Sequence, residues 1–245
     1  FHFMRKFNQM VHHTPYDYLM RRRLSEAAKT LVRSDLRIID IAFDHGFKDQ
    51  ETFSRVFRRM FQMTPSQCRK QNGITARCLM AAKTIEDLMF INSSQFHAPR
   101  LEKLPEMELF GLMTRSTVEG DAYLETMDGI MEDLRSLAVL KPRSDLYSIW
   151  YRMDAQGQKS YQFTGAERTS IEEGSSLLVR SVVRAGRYLC MEITEGELAL
   201  ARSYLYSSWL PGAGLKEKDD TQMLRLNHDP DCVDRSFTIF IPVME

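Results

Sequence analysis

Cysteine is scarce and scattered in this chain. Cys68, Cys78, Cys190 and Cys232 are all it has across 245 residues, and no two form a Cys-x-x-Cys pair. That argues against a zinc site, and a reduced, cytoplasmic protein is the simplest reading. Long apolar runs are missing as well. No stretch approaches the ~20 residues needed to span a bilayer, and no secretory leader is visible, so no membrane partner is expected. Adjacent His12 and His13 cannot both face one metal from a helix and read as loop residues. No metal and no other cofactor is called for.

Net charge is also missing, but only on average. Lys and Arg number 33, as do Asp and Glu. Residues 1–72 hold 14 Lys/Arg against 7 Asp/Glu, and the remainder holds 19 against 26. A basic first part suits a polyanion, whereas the acidic second part does not. Solvated faces would give the same tally, so the arrangement of the charges has to decide.

What is present is a repeat. Residues 53–65 recur 50 places earlier, with Phe3/Phe53, Arg5/Arg55, Phe7/Phe57, Met10/Met60, Thr14/Thr64 and Pro15/Pro65 in register. A fixed-period repeat implies two copies of one supersecondary unit. Phe at i and i+4 with Met three places on makes an apolar helical stripe. Arg5, Lys6, Arg55, Arg58 and Arg59 lie off it, so the polar face is basic. Thr-Pro then starts a further helix, Thr as N-cap and Pro at the first helical position. Asp17 and Gln67 stand three residues after the two Thr caps, where a side chain can reach back in a capping box.

Ahead of the second copy, Ile38, Ile41 and Ala42 have helical spacing, and Gly46 suits a left-handed C-cap. A helix, a short Gly-containing turn and a basic helix over about residues 50–60 make a helix-turn-helix. Residues 15–34 read as one linking helix with Tyr18, Leu19, Leu24, Ala27, Ala28 and Leu31 on its apolar face. Its length would be about 30 Å, close to the ~34 Å between successive major-groove faces of B-DNA. Two recognition helices could thus meet one duplex from a single chain.

These residues resemble the AraC/XylS family of transcription regulators. The resemblance is carried by Arg21-Arg22-Arg23-Leu24-Ser25-Glu26-Ala27-Ala28, by Ile38-Ile39-Asp40-Ile41-Ala42-Phe43-Asp44-His45-Gly46-Phe47 and by the block at 53–65. It implies a double helix-turn-helix, double-stranded DNA as partner and RNA polymerase as a further one. Base-contact roles would fall on Gln50, Thr52, Arg55 and Arg5, among exposed positions that also include His2, Met4, Asp49 and Glu51. Lys48, Arg58, Arg59, Arg69 and the helix starts at Thr14 and Thr64 would hold phosphates. The 50-residue period also leads one to expect a helix ahead of Phe1, as counterpart to residues 36–45, so the first unit reads as truncated.

From residue 101 the pattern changes to strand, helix, strand, strand, twice over: an α+β domain with internal pseudo-symmetry. Leu104-Pro105-Glu106, Phe163-Thr164-Gly165-Ala166-Glu167, Gly186-Arg187-Tyr188, Trp209-Leu210-Pro211 and Ile239-Phe240-Ile241-Pro242-Val243 resemble the GyrI-like effector-binding domain. That resemblance implies a cleft for a small organic effector. Tyr123, Trp150, Phe163 and Trp209 are the aromatic candidates, each with a core role as the alternative. Where the family carries a Glu on the penultimate strand, this chain has Leu224, which favours a neutral or apolar ligand. Glu167 is either a substitute carboxylate or an edge-strand surface residue.

The expected organisation is therefore multidomain. Residues 1–72 form an all-α double helix-turn-helix, 73–99 a partly helical linker, and 100–245 a GyrI-like domain of two strand-helix-strand-strand halves. The expected function is a DNA-binding transcription regulator with an effector-binding domain, not an enzyme. A GyrI-like hydrolase and a protein-interaction module tethered to DNA are the alternatives.

Overall fold

Two Thr-Pro steps start two helices by one device. In a computed structural model describing residues 2–71, 79–93, 98–116, 122–152, 160–219, 221–227 and 235–244, Thr14 precedes α2 (Pro15–Arg33) and Thr64 precedes α5 (Pro65–Lys70). Each Thr hydroxyl accepts the N–H three residues on, from Asp17 at 3.1 Å and from Gln67 at 3.2 Å. Gln67 also reaches back to the Thr64 N–H at 2.8 Å, completing its box. Asp17 does not. Its carboxylate instead takes Nδ1 of His13 at 2.7 Å and Nε of Arg21 at 2.8 Å. Two charge-assisted partners one turn away on either side outcompete a backbone N–H.

Around these lie α1 (His2–Val11), α3 (Ile38–Asp44) and α4 (Gln50–Phe61). Gly46 takes φ +78° at the α3–α4 turn, a left-handed value that favours glycine. The turn brings the inner faces of α2, α3, α4 and α5 onto one core of Leu24, Ala27, Leu31, Ile41, Phe53 and Phe57 with their neighbours. Rings run through it in sequence, Phe47–Phe53–Phe57–Phe61, with centroids 5.1, 5.4 and 4.7 Å apart. Each buried ring is worth about 1.5–3 kcal/mol. Leu19 departs from expectation: it sits on the solvent side of α2, exposed.

The first copy of the repeat is covered differently. Phe53 is 0% exposed but its counterpart Phe3 is 66% exposed, because α3 packs on α4 while α1 meets α2 and a helix from farther along the chain. Phe7 is half-buried against the Tyr18 ring at 5.7 Å. That farther helix is α6 (Ile85–Ile91), begun by a Thr84–Asp87 capping box. It lies within the segment read as a partly helical linker. Met80 is taken by α2: its N–H donates to Ser25 Oγ at 2.8 Å and its carbonyl accepts from Arg22. At the other end, Asn92 donates to the Met10 carbonyl at 3.0 Å.

The chain divides into two compact units, Phe1–Phe96 with Arg202–Pro211, and His97–Ala201 with Gly212–Glu245. The second is built on a curled antiparallel sheet of β1 (Arg100–Leu104), β2 (Met107–Ser116), β4 (Leu146–Arg152), β5 (Ser160–Glu167), β7 (Val179–Val183), β8 (Gly186–Thr194), β10 (Thr221–Asn227) and β11 (Ser236–Met244). Its order is β1-β8-β11-β10-β4-β5-β2-β7. Strand-helix-strand-strand occurs twice, as β2, α7 (Ala122–Leu137), β4, β5 and as β8, α8 (Leu198–Tyr204), β10, β11. The halves meet symmetrically at the β4–β10 seam, and β7 and β1 extend the two edges.

Shorter strands, β3 (Ala138–Leu140), β6 (Ile171–Gly174) and β9 (Lys216–Glu217), pair β3 with β6 and β9 with β11. These and β1 were not legible in sequence, being short or charged. The helix of the second half begins as a 3-10 turn at Glu195–Glu197, capped by Thr194. It ends in a π-helical turn at Leu205–Trp209 and one last turn, Leu210–Gly212. Arg235 holds two other elements together, donating to Asp128 of α7 and, at 2.8 and 2.9 Å, to Glu195.

Candidate functional site

The exposed face of α4 is assembled from its N-terminus. Asp49 is the N-cap: Oδ1 accepts the Thr52 N–H at 2.6 Å and Oδ2 the Thr52 hydroxyl at 3.1 Å. Those bonds hold the Asp49 carboxyl below the usual carboxylate range. Asp49 is thus a helix-starter as much as a surface group. Gln50, Glu51 and Arg55 project outward, while Thr52 is half-buried. Phe53 and Phe57 anchor the opposite side, so packing fixes which side chains face out. Lys48, Arg58 and Arg59 are exposed along the same unit.

Arg69 is placed otherwise. Its Nε donates to the Leu31 carbonyl at 3.1 Å and its Nη2 to the Leu36 carbonyl at 2.6 Å. It ties α5 to the end of α2, a packing task the sequence did not announce. On α1, His2, Met4 and Arg5 are exposed. Nineteen residues of α2 separate the two copies, a rod of about 28 Å.

Past the end of α1 lies His13, in a loop as the sequence suggested. It is buried there, and its Nε2 meets no partner among the described residues. Burial lowers its pKa below the ordinary value. Its burial comes from packing that the sequence does not show.

In the second unit, strand register sorts the remaining candidates. Ile149 pairs with Phe163 and Trp150 with Gln162, so Phe163 and Trp150 point to opposite faces of the sheet. Phe163 belongs to a cluster with Leu109, Tyr147, Ile149, Tyr188 and Met223. Glu167 shares that face and accepts from the Tyr147 hydroxyl at 3.3 Å. The Tyr147 phenol, pushed up to about 12 by burial and then by Glu167, stays protonated as the donor. β5 lies between β4 and β2, so Glu167 is not on an edge strand.

Trp150 and Leu224 share the other face. Across β10, β4 and β5 run two buried rows, Gln222–Trp150–Gln162 and Leu224–Ser148–Thr164. Ser148 Oγ lies 3.1 Å from Thr164 Oγ1 and accepts from Gln162 Nε2 at 3.0 Å. Gln222 is 4% exposed, and its Nε2 meets no acceptor among the described residues. No carboxylate stands in either row. Trp209 falls in the segment grouped with the first unit, and the side chain of Tyr123 lies outside the described residues. Of the aromatic candidates, Trp150 and Phe163 thus face opposite sides of the sheet.

Among the described residues no group of His, Cys, Asp and Glu is placed to hold a metal ion, and no helix is long and apolar enough to cross a membrane. Cys68 and Cys190 are free and buried; Cys78 and Cys232 lie outside the described residues.

A basic helix presented twice, with a long helix between, defines a helix-turn-helix protein. The family model described as "Helix-turn-helix domain" matches residues 1–71. PqrA of Proteus vulgaris is 38% identical over 84 residues, which are 34% of this chain and 69% of PqrA. The regulatory protein SoxS of Escherichia coli K12 is 49% identical over 65 residues, 26% of this chain and 61% of SoxS. The chain belongs to the AraC/XylS family of helix-turn-helix transcription regulators. Among solved structures, the C-terminal domain of EcmrR is similar at 13% identity and a TM-score of 0.45, covering 61% of this chain and 98% of that one.

Proposed function

We propose that this protein is a transcription regulator that reads double-stranded DNA with α1 and α4 and binds a small, uncharged organic effector in its second unit. The observation carrying the first part is the outward face of α4, where Gln50 and Arg55 stand free of the phenylalanine core behind them. Gln suits adenine and Arg suits guanine in the major groove. Lys48, Arg58 and Arg59 flank them as phosphate contacts. On α1, Arg5 takes the equivalent place with His2 and Met4, and Met4 offers bases little to hydrogen-bond, so α4 dominates sequence preference.

The effector reading is supported by Leu224, which stands in the buried rows with Ser148 and Thr164, beside Gln222, Trp150 and Gln162, and puts no carboxylate among them. The lack of a carboxylate there disfavours a desolvated cation and suits a neutral ligand.

Both parts are open to direct measurement. Arg55→Ala is expected to cost about 1–3 kcal/mol on a selected operator and far less on random DNA at fixed salt. Equal losses on both would make Arg55 a phosphate contact instead. Mass spectrometry of small molecules that co-purify with the full chain tests the effector. Recovery of neutral organic molecules, lost in Leu224→Glu, is expected; recovery of lipophilic cations from the unaltered chain would overturn the neutral class.

A further inference from the structure

The two copies of the repeat keep Phe7 and Phe57 on their inner sides but differ on the outside. Phe7 and Val11, one turn apart, hold the inner side of α1, Phe7 against the Tyr18 ring and Val11 buried. The outer side is an open groove lined by Met4, Arg5, Asn8, Gln9 and Thr14. At about 100° per residue, Asn8 falls between Met4 and Arg5 around the helix axis and one turn farther along it. Gln9 follows Arg5 at i+4. The side-chain amides of Asn8 and Gln9 are exposed and meet no partner among the described residues. Fifty places on, the same positions are Arg58 and Arg59. Where α4 carries two charges, α1 carries two carboxamides.

We propose that Asn8 is a further specificity-determining residue, reading an adenine in the major groove one base step beyond the base that Arg5 meets. The role rests on the proposed DNA reading by α1. A carboxamide presents a donor and an acceptor side by side, which matches N7 and N6–H₂ of adenine, whereas guanine offers two acceptors there. An arginine at this place would gain from any phosphate by releasing a counterion; an uncharged amide has no such gain. The exchange of arginine for amide between the copies therefore turns this part of the face from holding the backbone to reading bases. Three residues of helix rise about 4.5 Å, against ~3.4 Å per base step, so the neighbouring base pair is the one in reach. Met4 supplies no hydrogen bond to a base, and Asn8 restores to α1 the reader that Met4 lacks.

The test is selection of bound fragments from random duplex DNA by the full chain, repeated with variants. The unaltered chain is expected to enrich an A·T pair next to the position whose preference is lost in Arg5→Ala. Replacing that A·T pair by G·C should weaken binding by about tenfold for the unaltered chain, and by about twofold or less for Asn8→Ala. Asn8→Asp should turn the preference there toward cytosine, whose N4 donates to a carboxylate. Asn8→Arg should erase the preference for adenine and steepen the salt dependence by about one unit of log–log slope, while Asn8→Ala leaves that slope unchanged. Asn8 is exposed, so the variants should fold; thermal melts check this. An adenine preference that survives Asn8→Ala and Asn8→Asp, or a loss of equal size on every sequence, overturns the assignment and leaves α1 reading through Arg5. No enrichment of any sequence by the unaltered chain would overturn it together with the DNA reading itself.

Discussion

Gly111 and Gly165 face each other across β2 and β5 as register partners, and neither has room for a side chain. A Cβ on Gly111 would stand 2.1 Å from the Thr164 carbonyl oxygen and 2.5 Å from the Gly165 Cα. One on Gly165 would stand 2.4 Å from the Phe110 carbonyl oxygen. The obstacles are backbone, which cannot rotate away. This close approach lets β2 and β5 lie tight where α7 packs on both.

Gly165→Ala is therefore expected to destabilise the chain by about 1–3 kcal/mol, the range for overpacking. Gly129 is the control. It lies inside α7 with nothing within 4 Å of its added Cβ, so Gly129→Ala should stabilise by about 0.5–1 kcal/mol. Urea unfolding of the two variants measures both signs; equal effects would refute the steric account.

Asp49 carries two expectations that separate. As N-cap of α4 its loss in Asp49→Ala should cost about 1 kcal/mol of stability. Asp49→Asn keeps an acceptor for the Thr52 N–H and should restore most of it. If DNA affinity follows stability through both variants, Asp49 acts by ordering α4. If Asp49→Asn is fully stable yet binds DNA differently, the carboxylate itself meets the duplex.

His13 gives a pH dependence. Burial puts its folded pKa below the ordinary 6.5, and a protonated Nε2 would carry an N–H that finds no acceptor among the described residues. The unfolded chain then takes up this proton before the folded one. Stability is full above about pH 6.5 and declines as pH falls toward the folded value. The Asp17 carboxyl is depressed too, but its contribution is lost only in a more acidic window, below 3.8. Chemical unfolding between about pH 7.5 and about pH 5.5 should show a decline that His13→Gln flattens. An unchanged slope in the variant would assign the decline elsewhere.

Arg58 and Arg59 lie one turn past Arg55 on the exposed side of α4. Each is expected to contribute about one unit to the slope of log affinity against log salt. Arg58→Ala and Arg59→Ala should lower affinity for operator and random DNA alike. A slope that does not move would remove that arginine from the phosphate-contacting set.

How much of this was readable in one dimension depended on the reach of each interaction. Local chemistry was legible: Thr-Pro starts, the Gly46 turn and the spacing of Phe53 and Phe57 identify helices, because capping and amphipathic periodicity act within a turn or two. Alternation likewise showed the long strands of the second unit. Short or charged strands such as β1 and β9 went unread, since their pairing is supplied by distant partners. Asp17 was misassigned for a different reason: two local partners, His13 and Arg21, compete with the cap for one carboxylate, and spacing alone does not rank them.

The sequence by itself determined that a basic, repeated helical unit precedes an acidic domain of two like halves, because repeat, charge and periodicity are properties of order along the chain. Only the tertiary structure decided that Trp150 and Phe163 look to opposite sides of one sheet. It alone drew Arg69 into packing between α5 and the end of α2. Register between strands and the curl of a sheet arise from contacts between residues far apart in sequence, and no local rule contains them.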